Sequence, residues 1–269
     1  MRIFDNVYVY GRFLEISIRG QMQYRLSFVM LSLAHLLTTA VEFLAVIVLF
    51  DRFGSLTDWE LGEVAFMYGI VNIAFSVSDA ATRGFDVFGT MVKAGDFDRL
   101  LTRPRSTVLQ LAGQELTLRR VGRFLQGLVI MIWAANEMNL DWSALDVGLV
   151  VFAVLGGAAL FAGLIVIQAT ISFWSTESLE VMNSLTYGGV FATSYPVAIY
   201  RSWFRDLFIY IVPLASVSYF PTLAITGRSD PLGSSVLFQY LSPLIGFAFF
   251  AVTLQFWRFG VRHYRSTGS

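Results

Sequence analysis

The chain alternates long apolar runs with short polar intervals. A helix needs about 20 residues to cross roughly 30 Å of hydrocarbon. Runs at 27–50, 61–81, 121–137, 147–174, 179–200, 207–226 and 236–257 come close to or exceed that length. The third is short, and the sixth carries Pro213 and Pro221. The first 25 residues have a different pattern. Ile3, Val7, Tyr10, Leu14 and Ile18 recur at steps of four, three, four and four, while Tyr8, Arg12, Glu15 and Arg19 lie on another face. This predicts an amphipathic helix lying along the membrane surface. A cytosolic helix packed on the protein's own loops is the alternative. Gly20 allows a bend into the first span.

Composition agrees with a membrane setting. The chain has 269 residues, of which 56% are hydrophobic, and its mean hydropathy is +0.64. Charged residues make up 14%, against about 25% in a soluble domain. The expected fold is an all-α integral membrane protein, one transmembrane domain over 1–269. Net charge is zero, so no basic field points to nucleic acid. There is no cysteine, which excludes disulfides and thiol chemistry. The start lacks the continuous apolar core and small-residue cleavage site of a signal peptide.

Basic residues set the orientation. Fifteen of the 19 lie in three places: the N-terminal segment, the stretch 83–123, and the tail with Arg258, Arg262 and Arg265. Those places are expected to be cytoplasmic. Both termini can be inside only with an even number of crossings. The proline-bearing run is the weakest span, because proline removes a backbone donor and clashes with the preceding turn. Residues 204–228 are therefore expected to form a re-entrant helical hairpin from the outer face, between spans five and six of six. An ordinary kinked span is the alternative. A broken helix at membrane depth survives where protein or a water-filled cavity covers it.

Candidate chemistry is sparse. The only lysine, Lys93, does not follow a phosphate-loop glycine pattern, so ATP is not bound here in that way. The two histidines, His35 and His263, are too few for an ordinary zinc site without cysteines. No catalytic residues, cofactor or metal are expected in this chain. His35 reads as a packed or hydrogen-bonding helix residue. Glu42 lies inside the first span, where a carboxylate is expensive. It either lines a translocation path or is hydrogen-bonded in a helix interface. Glu63 and Asp79 sit near the ends of span two, where contact with water is cheap. Ala153 with Gly157, and Ala159 with Gly163, have the four-residue spacing that lets helices approach closely.

The stretch 93–110, KAGDFDRLLTRPRSTVLQ, carries six charges in the largest cytoplasmic interval, 83–120. Gly95 and Asp96 are expected to start a short helix, with Asp96 capping it. Phe97, Leu100 and Leu101 would lie on one side and Asp98, Arg99 and Arg103 on the other. Pro104 ends it, and Ser106 or Thr107 caps the next helix. An exposed apolar patch with a charged rim suggests a partner surface. The alternative is a loop helix packed on the membrane surface.

The segment GDFDRLLTRP, followed by helix and span, resembles the signature of the bacterial ABC-2-type transporter permeases. PLASVSYFPTLAITG at 213–227 is similar to their proline-bearing stretch before the last span. The resemblance implies a permease in the cell membrane, paired with a second permease copy or paralogue and with ATPase subunits that bind ATP and Mg. It also implies that the helix around 97–102 is a coupling helix seated in an ATPase groove. The expected activity is export, with hydrolysis on the partner chain. The competing reading is an ion-coupled secondary transporter, which would show several deep carboxylates and inverted repeats.

Overall fold

The computed structural model describes residues 2–114, 120–175 and 179–265, and among them every regular element is helical. In chain order these are α1 (Arg2–Gln23), α2 (Arg25–Phe53), α3 (Leu61–Asp86), α4 (Phe88–Lys93), α5 (Phe97–Leu101), α6 (Thr107–Gln114) and α7 (Val121–Glu137). They continue as α8 (Ala144–Ile171), α9 (Leu179–Thr193), α10 (Ser202–Asp206), α11 (Tyr219–Thr226), α12 (Val236–Leu241) and α13 (Pro243–His263).

Among the described residues four helices are long and apolar enough to cross a membrane: α2, α3 with its continuation α4, α8 and α13. A π-helical turn at Leu207–Ile211 extends α10. That piece and Leu214–Thr226 form a broken pair bent by 70°, a fifth span if counted as one. Pro213 lies at the break. Pro221 lies in the first turn of α11, where a missing N–H loses no helical bond. Two of the six expected spans fall short on their own. α7 has 17 residues and α9 has 15, about 25 and 22 Å at 1.5 Å per residue.

Two boundaries differ from the sequence expectation. The last apolar run divides at Ser242–Pro243 into α12 and α13. Proline cannot donate within a helix but suits its first position. The final span therefore runs to His263 and takes Arg258 and Arg262 into its last turns. The run 179–200 leaves α-helix at Thr193 and finishes in a short 3-10 turn.

α3 is the axis of the bundle and is buried along most of its length. It packs against α7 on one side and α8 on the other, and α13 packs on the far side of α8. The small residues of α8 serve this packing as their spacing predicts. Gly157 lies against Ala74 and Val217, and Gly163 against Phe249 and Thr253. At Gly246 a side chain would collide with the backbone carbonyl of Gly156, so α8 and α13 touch main chain to main chain there. α2 turns Leu26, Met30, Leu33, Leu37, Val41 and Leu44 outward. Such a face suits hydrocarbon, not water.

α1 shows features of both readings made for it. Phe13 packs on Gly113 of α6, so one side rests on the protein's own loop. Tyr8, Ile16 and Ile18 remain exposed. The side chains of Ile3, Val7 and Leu14 lie outside the described residues, as does Arg119.

Candidate coupling surface and buried charge pairs

The polar stretch after α4 folds back onto the ends of the long helices. α4 ends on Gly95, whose φ of 73° is the left-handed conformation that glycine adopts freely. The Gly95 N–H donates to the Val92 carbonyl at 3.2 Å, and the Asp96 N–H to the Met91 carbonyl at 3.1 Å. These bonds satisfy carbonyls that the end of α4 leaves open. Gly95, expected to open a helix, therefore closes one. Asp96 does not cap α5 with its side chain. Its carboxylate instead faces Arg99 at 3.6 Å. After α5 the chain turns at Arg103 and Pro104. The Gln110 Nε2 donates to the carbonyls of Leu100 at 3.2 Å and Arg105 at 3.1 Å, which fastens this turn to α6.

The apolar side of α5 is not the partner surface the sequence suggested. Phe97 is 0% exposed and Leu100 is also buried. The Phe97 ring sits in an aromatic cage, with centroids 5.0 Å from Phe88, 5.5 Å from Phe173, 6.3 Å from Trp257 and 5.0 Å from Tyr264. Those partners come from α4, the chain just after α8, and α13. The reason is hydrophobic: each ring removes substantial apolar surface from water, and edge-to-face pairs add to this. The Trp257 Nε1 also donates to Thr107 Oγ1 at 3.0 Å, joining α13 to α6. Asp98 turns inward toward Tyr264. Burial first, and then the neighbouring Asp98 carboxylate, push the Tyr264 phenol above its ordinary value.

The outer surface of this knob is therefore mainly cationic. Lys93, Arg99, Arg103 and Arg105 are exposed together with Asp96, Thr102 and Pro104. Leu101, 42% exposed, is the one large apolar side chain of α5 left open.

Inside the bundle, arginines meet carboxylates. Asp79, expected near water, is 1% exposed and accepts from Arg120, whose guanidinium also lies 3.5 Å from His35 Nδ1. Arg83 pairs with Asp86, which also accepts from Gln168 at 3.4 Å. Glu42 is not an isolated carboxylate. Arg123 reaches it at 3.2 Å and donates to Asn72 Oδ1 at 2.8 Å. This ties α2, α3 and α7 together, as the helix-interface alternative for Glu42 anticipates. Arg120 and Arg123, counted by sequence among loop cations, are consumed in these pairs. Their partners lie 41 and 81 residues away, a separation that no local pattern reveals.

A fourth pair lies at the opposite end of α3. The Arg228 guanidinium donates to both Glu63 oxygens, at 2.9 and 2.8 Å, and to the Asp58 carbonyl at 2.7 Å. It stacks over Trp59 at 4.3 Å. Trp59 in turn meets Tyr219 at 5.7 Å, and the Tyr219 hydroxyl donates to Asp230 at 2.6 Å. This clamp joins the loop before α3 to the chain following the broken pair. Glu63 thus has a structural partner that its sequence position did not suggest. Among the described residues, no group of three or more His, Asp or Glu could hold a metal ion.

No curated protein and no solved structure is matched by the chain. A family model described as ABC-2 family transporter protein matches residues 36–268, a stretch that contains the knob, the broken pair and every helix from α3 to α13. That match covers most of the chain, and the chain belongs to the ABC-2 family of transporter proteins.

Proposed function

We propose that the chain is the membrane-spanning permease subunit of an ATP-driven exporter, energised by a separate ATPase that docks on α5 and the turn after it. The observation that carries this reading is the mounting of the knob. Phe97 is plugged into a cage built from the ends of three long elements, α3–α4, α8 and α13. A force applied to α5 would reach all three without loose intermediates. The docking face is Leu101 with Arg99, Arg103 and Arg105, not the full apolar side of α5. One apolar anchor holds, and the cations orient.

In this reading the chain works with a second permease copy or paralogue in a bacterial inner membrane. The arginine-rich ends, and both termini, are cytoplasmic. α7 and α9 complete a six-span set with the four long helices, and the broken pair 202–226 enters from the outer face as a re-entrant element. Glu42 borders the route between protomers. Paired with Arg123, it adds no net charge to that route. ATP and Mg belong to the partner chain. The paired state of the acids also weighs against an ion-coupled transporter, which needs a carboxylate open to its ion. Asp79, Asp86, Glu42 and Glu63 each face an arginine.

Co-purification tests the proposal. An ATPase subunit should be retained by the wild-type chain and lost from the double charge reversal Arg99→Glu, Arg103→Glu. Retention by that variant, or absence of any ATPase from the wild-type preparation, would refute it.

A further inference from the structure

A groove of about 390 Å³ lies between the last turns of α13 and the start of α6. Val108, Leu254 and Val261 give it an apolar wall, and Arg258 and Arg262 stand one helical turn apart along it. Among the described residues no carboxylate lines it. Arg258 donates to the neutral amide oxygen of Gln255 at 3.1 Å. Arg262 has no hydrogen bond or ion pair through its side chain among the described residues. Among the described residues, two cations thus border a partly apolar groove, with Ser106 and Thr107 beside them and no anion in the lining. The surroundings are those of a span facing lipid. Phe256 and Phe259 on the same end of α13 are exposed, and α13 buries little of its apolar length. In the proposed reading the groove lies at the level where α13 leaves hydrocarbon for the headgroup layer.

We propose that this groove binds the headgroup of an anionic phospholipid. The phosphodiester oxygens accept from the guanidinium groups of Arg258 and Arg262, whose planar forks suit that geometry. An acyl chain lies along Leu254 and the outward face of α13. Charge selects the lipid class. A zwitterionic headgroup brings its own cation against two arginines, whereas an anionic one is attracted by both. The inference rests on the reading that the arginine-bearing end of α13 is cytoplasmic. The site also adjoins the knob. Trp257 lines the groove, bonds Thr107 and touches the Phe97 ring. An occupied groove braces the mount through which the knob acts.

The test is native mass spectrometry of the full chain, purified without any ATPase, after addition of phosphatidylglycerol or phosphatidylcholine. Phosphatidylglycerol should be retained about tenfold more than phosphatidylcholine. Arg258→Gln with Arg262→Gln should abolish that preference. Arg12→Gln with Arg19→Gln, on α1 and away from the groove, should leave it intact. Arg262→Gln alone, at an exposed position near the end of α13, should reduce the preference and keeps the test valid if the double variant does not fold. Equal retention of the two lipids by the wild-type chain, or a preference that survives the double variant, would overturn the proposal. Displacement of bound phosphatidylglycerol by added ATPase subunit would assign the groove to that partner and overturn it as well. Because the measurement contains no ATPase in its first arm, its failure leaves the ATPase reading standing, and loss of ATPase association leaves the lipid preference unchanged.

Discussion

The two ends of α3 are fastened in different ways. At the knob end, Phe85, Phe88, Phe97, Phe173 and Trp257 pack as rings, and Arg99, with Arg103 and Arg105 after α5, is left on the outside. At the other end one guanidinium, Arg228, holds Glu63, the Asp58 carbonyl and the Trp59 face at once. Ring packing is non-directional and spread over many contacts, so it transmits displacement as a block. An ion pair made through one guanidinium nitrogen is directional and local, so a modest rotation breaks it. In the proposed reading the knob end takes the push of the ATPase as one block, and the clamp end holds α3 in one position.

Breaking the aromatic cage should have the largest effect. Phe97→Ala removes the ring at its centre and should destabilise the chain by about 3–5 kcal/mol. The check is thermal unfolding in nanodiscs, with protease cleavage appearing near residues 94–106. Trp257→Phe should cost less but remove the Thr107 bond. If the cage is one unit, the two effects will not add.

The clamp should respond more mildly and more specifically. Arg228→Met leaves Glu63 partly buried without its partner, at a cost of about 1–3 kcal/mol. Glu63→Gln should cost a similar amount. The double variant should recover part of the loss in a double-mutant cycle read by chemical denaturation. Hydrogen exchange should rise over residues 227–235 and stay unchanged at the knob. Additive losses would show that the pair is not coupled.

The smallest effect is a pH dependence at the same end. Burial raises the Asp230 pKa. Bonds from Ser234, the Tyr219 hydroxyl and the Leu232 and Ser234 amides outweigh it, so the net shift is downward. A depressed carboxylate contributes stability that is present above the ordinary aspartate value near about 3.9 and is lost as pH falls through the folded value. The 230–235 turn should keep its exchange protection from pH 7 to pH 5 and lose it on further acidification. Asp230→Asn should remove the dependence.

The sequence carried the long helices, the packing role of Gly157 and Gly163, and the place of the knob. These depend on local apolar density and spacing. It did not carry the direction of the knob. Phe97, Leu100 and Leu101 share an apolar character, and only the distant Phe173, Trp257 and Tyr264 decide that the first two face inward. The charge pairs were illegible for the same reason. Asp79 with Arg120, Glu42 with Arg123 and Glu63 with Arg228 are separated by 41, 81 and 165 residues. The count of basic residues treats Arg120 and Arg123 as loop cations. The break at Pro243 was readable in principle, since a proline after Ser242 marks a helix start as well as a helix stop.

The central claim is that a separate ATPase acts on the exposed edge of α5 while Phe97 anchors that helix from within. The most direct measurement is binding of the ATPase subunit to the Leu101→Asp variant in nanodiscs, with thermal unfolding recorded on the same sample. Leu101 is exposed, so stability should change by no more than about 0.5 kcal/mol. Unfolding should be unchanged and ATPase binding lost. Unchanged binding by a folded Leu101→Asp chain would contradict it.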